Sequence, residues 1–332
     1  SVMDDARLTI AVAMDAAAHG ARIHTRSELA SVRPSADGLE VQWRDRESGE
    51  DHRATARAIV NATGAWCDAT RTQLTRMLLP GSPDPGRLLR PTRGVHLVYP
   101  ALTRSHALLE RTAQGRVLFV IPFAGRALVG TTEVEVDSPP SPTQMQPSLE
   151  EVRSLHAALT RVLPAARDLR PLAVFAGVRP LLAASGTVGS ASREHRVLCE
   201  GRVLTVAGGK YTTFRAMARD VFRAAAHLLG REKVAHDPTT LLPLTPEDDI
   251  DGAALGGHAA ETWARSLPDA LRRRSTRWLD QDQGLAVAPA VADAMARRLG
   301  WSSSRQREEL DHHEHAVHED RAWLERALPR GA

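Results

Sequence analysis

Val203-Leu204-Thr205-Val206-Ala207-Gly208-Gly209-Lys210 is an apolar run closed by two glycines, and the chain continues to Leu229 with Phe214, Met217, Ala218, Val221, Phe222, Ala225, Leu228 and Leu229 stepping by three and one. An apolar run, a glycine turn and a stripe of helical period together predict a buried strand feeding a helix packed on its sheet. Backbone N–H groups and the positive end of the helix dipole can meet an anion at such a junction. Tyr211, Thr212 and Thr213 add side-chain donors there. The same residues also read as a plain strand-to-helix turn with a surface lysine. They are not a P-loop, since no glycine stands at the required spacing before Lys210 and Tyr211 follows it.

Upstream, Asn61-Ala62-Thr63-Gly64-Ala65-Trp66 is a second junction of this kind, between a strand over 53–60 and a helix over 65–79. Before it come a helix over 4–19, with acids first and Gly20 last, and strands over 22–33 and 39–43 separated by turn residues. Beyond the loop 80–86, strands are expected over 94–99, 116–122 and 127–136, with a hairpin at Ala124-Gly125-Arg126. Residues 137–147 hold four prolines; Ser148 and Glu151 then form a capping box for a helix to about 163, and 172–178 is another strand. After the proline-bearing linker 238–246 only helical segments are expected. The boundaries drawn are 1–85, 86–185, 186–237 and 238–332.

The 332 residues carry 43 Lys plus Arg against 40 Asp plus Glu, and only Lys210 and Lys233 are lysine. In so arginine-rich a chain, a lysine in the glycine turn stands out. A net charge of +3, with no basic tail or aromatic-interleaved basic motif, argues against a nucleic-acid partner. The longest apolar stretch, Val117 to Phe123, is too short to cross a bilayer. Cys67 and Cys199 are too few for a disulfide scaffold or a C-x-x-C pair; both are expected to be buried thiols of a cytoplasmic protein. The chain opens without a signal peptide or an initiator Met, which is the pattern of a processed product or a fragment.

Arg179, after Gly177-Val178, and Arg193, in Ser192-Arg193-Glu194-His195, could fork onto a phosphate or carboxylate, though either could be a solvated charge. His96 interrupts an apolar strand, as a hydrogen-bonded structural residue or a base. His312, His313, His315 and His318 invite a metal reading, but no H-E-x-x-H order occurs and a solvated helix explains them; no metal site is assigned. No G-x-S-x-G elbow supports a hydrolase.

Taken in order over residues 4–230, several segments resemble one family, the FAD-dependent, aerobic-type glycerol-3-phosphate dehydrogenases within the glycine and D-amino-acid oxidase-like flavoproteins. They are Asp4-Asp5-Ala6-Arg7-Leu8, Asn61 to Trp66, Arg93-Gly94-Val95-His96-Leu97-Val98, Phe119 to Pro122 with Val129 to Glu133, Ala176 to Leu181, Ser192 to His195, and Gly208 to Arg215. The resemblance implies a mixed α/β fold: the C-terminal part of a split, glutathione-reductase-like FAD domain, an inserted antiparallel-sheet substrate domain and a helical C-terminal domain. The dinucleotide fingerprint of the family would precede residue 1, and the tail around Gly256 to Glu261 is shorter than the family pattern.

For the site, the resemblance implies that Val32, Ala62, Thr63, Gly64, Gly208, Gly209, Lys210, Thr212 and Thr213 contact FAD. Arg179, Arg193 and Lys210 would hold the substrate phosphate, and Arg179, Lys210 and His96 would take part in the chemistry. Oxidising a secondary alcohol needs a hydride acceptor that no side chain supplies, which is the flavin's part. The further implications are sn-glycerol 3-phosphate as substrate, quinone as acceptor, a homodimer, and peripheral attachment at the inner face of the cell membrane. Two alternatives stay open: a non-catalytic relative binding a phosphorylated ligand or a partner chain, and an FAD oxidase of amines or hydroxy acids.

Overall fold

The computed structural model describes residues 3–111, 117–141, 145–183, 194–231, 241–243 and 250–328. In chain order the elements are α1 (Asp5–Ala18), β1 (Ser27–Ser35), β2 (Gly38–Asp45), β3 (Asp51–Ala56), β4 (Ile59–Asn61) and α2 (Cys67–Leu78). There follow β5 (Thr92–Pro100), β6 (Leu108–Arg111), β7 (Val117–Phe123), β8 (Arg126–Gly130), β9 (Val134–Glu135), α3 (Leu149–Val162) and β10 (Ala173–Arg179). Next are β11 (His195–Glu200), β12 (Val203–Gly208) and α4 (Phe214–Leu228), and then α5 (Gly252–Glu261), α6 (Leu267–Arg273), α7 (Ala288–Leu299) and α8 (Ser303–Ala327).

Three sheets result. β1, β2 and β3 form an antiparallel meander; β10-β5-β8-β7-β6 form a second antiparallel sheet with β9 paired to β5; β11-β12-β4 form a third. In the last, β12 runs parallel to β4 with Leu204 opposite Val60 and Thr205 opposite Asn61. Two parallel strands, each followed by a helix, bring the turns after Asn61 and after Gly208 to the same end of one sheet.

Local chemistry sets many of the boundaries. The Asp4 carboxylate caps α1 by accepting from the Arg7 N–H at 3.0 Å, and Ser148 with Glu151 closes a full capping box on α3. Ala124 and Gly125 both take positive φ, 48° and 72°, as the two-residue hairpin between β7 and β8 requires.

The structure corrects five expectations. Residues 53–60 are two strands in different sheets, because β3 pairs with β2 while β4 pairs with β12; side-chain alternation does not reveal a change of partner. The first strand begins at Ser27, later than expected. β6 and β11 went unread: both are short, edge-lying and rich in exposed or charged residues. The stripe of α4 is only partly covered, with none of its residues buried and Phe222 59% exposed, since a three-stranded sheet is narrower than the stripe. Finally, Cys67 is buried, and burial pushes its thiol up to about 12, but Cys199 lies exposed on β11.

The largest core lies between the second sheet and α3. Val95, Leu97 and Tyr99 of β5 and Val120 and Val129 face Val152, Leu155 and Leu159. Leu159 is fully buried there, and truncation leaves a cavity that its rigid neighbours cannot fill. Leu159→Ala is therefore expected to lower unfolding stability by about 2–5 kcal/mol, read by denaturant titration. A second core joins α5, α6 and α7. Long α8 touches both: Glu309 accepts the Leu267 N–H at 2.8 Å, while Ala327 and Leu328 pack into the sheet core and Arg153 Nε donates to the Ala327 carbonyl at 2.9 Å.

Candidate active site

β5 has two faces of different character. Val95, Leu97 and Tyr99 point to α3; Gly94, His96 and Val98 alternate with them and so belong to the other face. On that face His96 stands between two register partners, Phe175 on β10 and Gly130 on β8. Its ring stacks on Phe175 with centroids 5.1 Å apart and planes 11° from parallel. It also leans over Gly130, where an added Cβ would fall 2.8 Å from Nε2 and 2.9 Å from Cγ. One strand pair away, the Arg179 guanidinium lies over Gly94, where a Cβ would fall 2.5 Å from Nη1 and 2.7 Å from Cζ. Two glycines are thus the floor on which the two candidate groups rest.

Arg179 is aimed by its surroundings. Its Nη2 donates to the Thr131 hydroxyl at 2.7 Å. Neighbouring Thr132 accepts the Val95 N–H at 3.0 Å and donates to Glu151 at 2.9 Å, and Glu151 also accepts from Arg93 Nη2 at 2.6 Å. Burial works against the Glu151 charge, but hydrogen bonds from Ser148, Thr132 and Arg93 hold its carboxyl below the usual range. The start of α3 is in this way pinned to the loop that orients Arg179.

Burial first, and then the Arg179 charge, push His96 down to about 4, opposed by Asp5 of α1. At neutral pH the ring is uncharged and holds an acceptor lone pair. A histidine depressed in the fold contributes stability that is complete above its unfolded value near 6.5 and is lost as pH falls from there towards 4. His96→Gln should flatten the pH dependence of unfolding stability between those values; equal slopes in both proteins would refute this protonation state.

The second group of residues gathers at the carboxyl ends of the parallel pair β4 and β12, the end at which open α/β sheets bind ligands. Ala62, Thr63 and Gly64 are exposed after β4, and Lys210, Thr212 and Thr213 after β12. Asn61 holds the first turn, donating to the Cys67 carbonyl at 2.9 Å and accepting from the Thr63 hydroxyl at 2.7 Å. Gly208 and Gly209 take φ of 77° and 86°, and the Gly209 N–H donates to the Glu194 carbonyl at 2.9 Å. His195 Nε2 lies 2.9 Å from Asp220 Oδ2, tying β11 to α4 beside this turn. Two helix starts at one sheet end, glycines of positive φ and an exposed lysine suit the phosphates and edge of a dinucleotide.

α1 joins the two groups. The Tyr211 hydroxyl donates to the Asp5 carbonyl at 3.1 Å and lies 2.7 Å from the Thr9 hydroxyl, and the Asp5 charge acts on His96. Of the other sequence candidates, Val32 is 1% exposed, paired with Val41 across β1 and β2 in a core with Leu39, Leu74 and Val203. Arg193 and Lys233 lie outside the described residues. His312, His315 and His318 are exposed on α8, whereas His313 is buried. Two open grooves of about 570 and 690 Å³ flank α2, and neither is lined by His96, Arg179 or Lys210.

Sequence reasoning missed Gly94, Gly130, Thr131 and Phe175 as parts of the site. Glycines inside apolar strands were the available signal, since they mark close approach.

The FAD dependent oxidoreductase family model matches residues 1–221, two-thirds of the chain, and the chain belongs to that family. Glycerol-3-phosphate dehydrogenase 1 of Mycobacterium tuberculosis is 33% identical over 286 residues, 82% of this chain and 51% of the relative. The mitochondrial glycerol-3-phosphate dehydrogenase of Bos taurus is 32% identical in an alignment that covers 93% of this chain and 51% of the relative. The chain spans about half the length of these curated relatives. Among solved structures, the glycerol-3-phosphate dehydrogenase of Bacillus halodurans complexed with FAD shares the fold, with a TM-score of 0.74 and 21% identity over 95% of this chain and 73% of that one.

Proposed function

We propose that this chain binds FAD and carries the alcohol-oxidising site of a glycerol-3-phosphate dehydrogenase, taking sn-glycerol 3-phosphate to dihydroxyacetone phosphate. The observation that carries the reading is the pair of glycine floors, Gly94 under Arg179 and Gly130 under His96, which set a cation and a neutral acceptor on one sheet face. Likeness to glycerol-3-phosphate dehydrogenases supports the choice of substrate.

In this reading FAD is held at the ends of β4 and β12 by the turns 62–64 and 208–213, and when bound it supplies the hydride acceptor. Arg179, with Arg193, forks onto the substrate phosphate and fixes the reacting carbon. His96 accepts the hydroxyl proton on an imidazole nitrogen. Burial and the Arg179 charge hold the ring near 4, and a phosphate dianion beside Arg179 raises its proton affinity by offsetting the guanidinium charge. Lys210, exposed in the turn after β12, would be one of the residues holding FAD and would favour its anionic groups. The proposal extends to quinone as acceptor, homodimerisation and peripheral attachment at the cytoplasmic face of a membrane. Among the described residues no helix is long and apolar enough to cross one.

The test is reconstitution with FAD, followed by flavin absorbance and dye-coupled oxidation. Glycerol 3-phosphate should be turned over and glycerol should not. Bound flavin with equal rates on the two alcohols would sink the phosphate assignment.

A further inference from the structure

The helical region after residue 250 reaches the stack on His96 through the Trp278 ring. Trp278 lies in a 3-10 turn, Arg277–Leu279, between α6 and α7. Its ring meets Phe175 edge-on, with centroids 5.6 Å apart and planes at 76°, and Phe175 stacks on His96. The turn is anchored on the same sheet face: Leu279 is fully buried against Val98 and Ala173, Asp280 pairs with Arg126, and Gln283 Nε2 donates to the Leu172 carbonyl at 3.3 Å.

The geometry of His96 makes this contact matter. Gly130, without a Cβ, leaves the room in which the ring leans over β8. Phe175 is the flat surface on the β10 side, and Phe175 is itself held by the Trp278 edge. Offset-stacked and edge-to-face contacts of this kind have preferred geometries and contribute beyond area burial.

We propose that Phe175 and Trp278 are positioning residues that fix the orientation of the His96 ring, so that the C-terminal helical region sets the competence of the alcohol-oxidising site. The proposal rests on the assignment of His96 to that site. Besides the aromatic stack, the charges that act on His96 are Arg179 of β10 and Asp5 of α1; the Arg126–Asp280 pair lies on the elements flanking the turn.

The test uses the full chain with FAD, in Trp278→Leu, Phe175→Leu, Trp278→Phe and Val291→Ala. Two quantities are read: the titration midpoint of the His96 ring by NMR, with the resonance assigned through His96→Gln, and kcat against KM for glycerol 3-phosphate. Trp278→Leu and Phe175→Leu should raise the His96 midpoint by about one unit as the ring is released towards water. They should lower kcat roughly tenfold with KM little changed. Trp278→Phe should restore both values. Val291→Ala, in the separate core of α5, α6 and α7, should lower thermal stability and leave the midpoint in place.

An unchanged midpoint in folded Trp278→Leu and Phe175→Leu overturns the proposal, as does an equal shift in Val291→Ala. The NMR midpoint needs no turnover, so a relay without an active enzyme and an active enzyme without a relay give different results.

Discussion

Arg179→Ala in FAD-loaded protein is expected to lower kcat/KM for glycerol 3-phosphate by roughly 10²–10³-fold, the range for losing a charge-assisted, forked contact to a phosphate. Melting temperature should change little, because the guanidinium rests over glycine and bonds the Thr131 hydroxyl without closing a core. Gly94→Ala provides the complementary variant. Its Cβ would fall 2.5 Å from Nη1, yet a long arginine can swing its end aside at small cost. Stability is preserved while the cation is misplaced, and the loss should fall in the same direction as Arg179→Ala. Steady-state kinetics beside thermal melts decide the matter: if both variants keep wild-type kcat/KM, Arg179 is a structural residue of the Thr131 loop.

Gly208→Ala should destabilise the folded state as strongly as a core truncation. The residue sits at φ 77°, a conformation costing an L-residue about 1–2 kcal/mol. The new Cβ would lie 2.5 Å from the Glu194 carbonyl oxygen and 2.7 Å from Leu182 Cγ. A backbone oxygen that already accepts the Gly209 N–H cannot yield as an arginine tip can, so overpacking adds about 1–3 kcal/mol. The sum, about 2–5 kcal/mol, should be visible in denaturant titration, together with weaker flavin retention. Gly177→Ala is the control, since a Cβ there meets nothing within 4 Å. Comparable losses in the two variants would show that the turn at Gly208 carries no special strain.

The strand-to-helix units were legible because their signals are local. The run from Val203 to Gly208 and the apolar stripe after it announce β12 and α4, and Ser148 with Glu151 announces the start of α3. Partner choice was not legible. Nothing in Arg57-Ala58 says that the chain leaves one sheet for another, since that depends on β12, some 140 residues away. The site shows the same division. Arg179, His96 and Lys210 could be singled out by residue type, whereas the use of Gly94 and Gly130 as floors depends on strand register. The exposed flank of α4 could not be foreseen either, because an apolar stripe states what a helix can bury and not how wide a sheet it meets.

α8 runs for 25 residues, about 37 Å at 1.5 Å per residue. Glu309 and Val317 are sunk in the helical region and Ala327 in the sheet core. A rod embedded at both ends transmits torque and forbids a hinge between its supports. Heating should therefore take the helical region and the second sheet through one calorimetric transition.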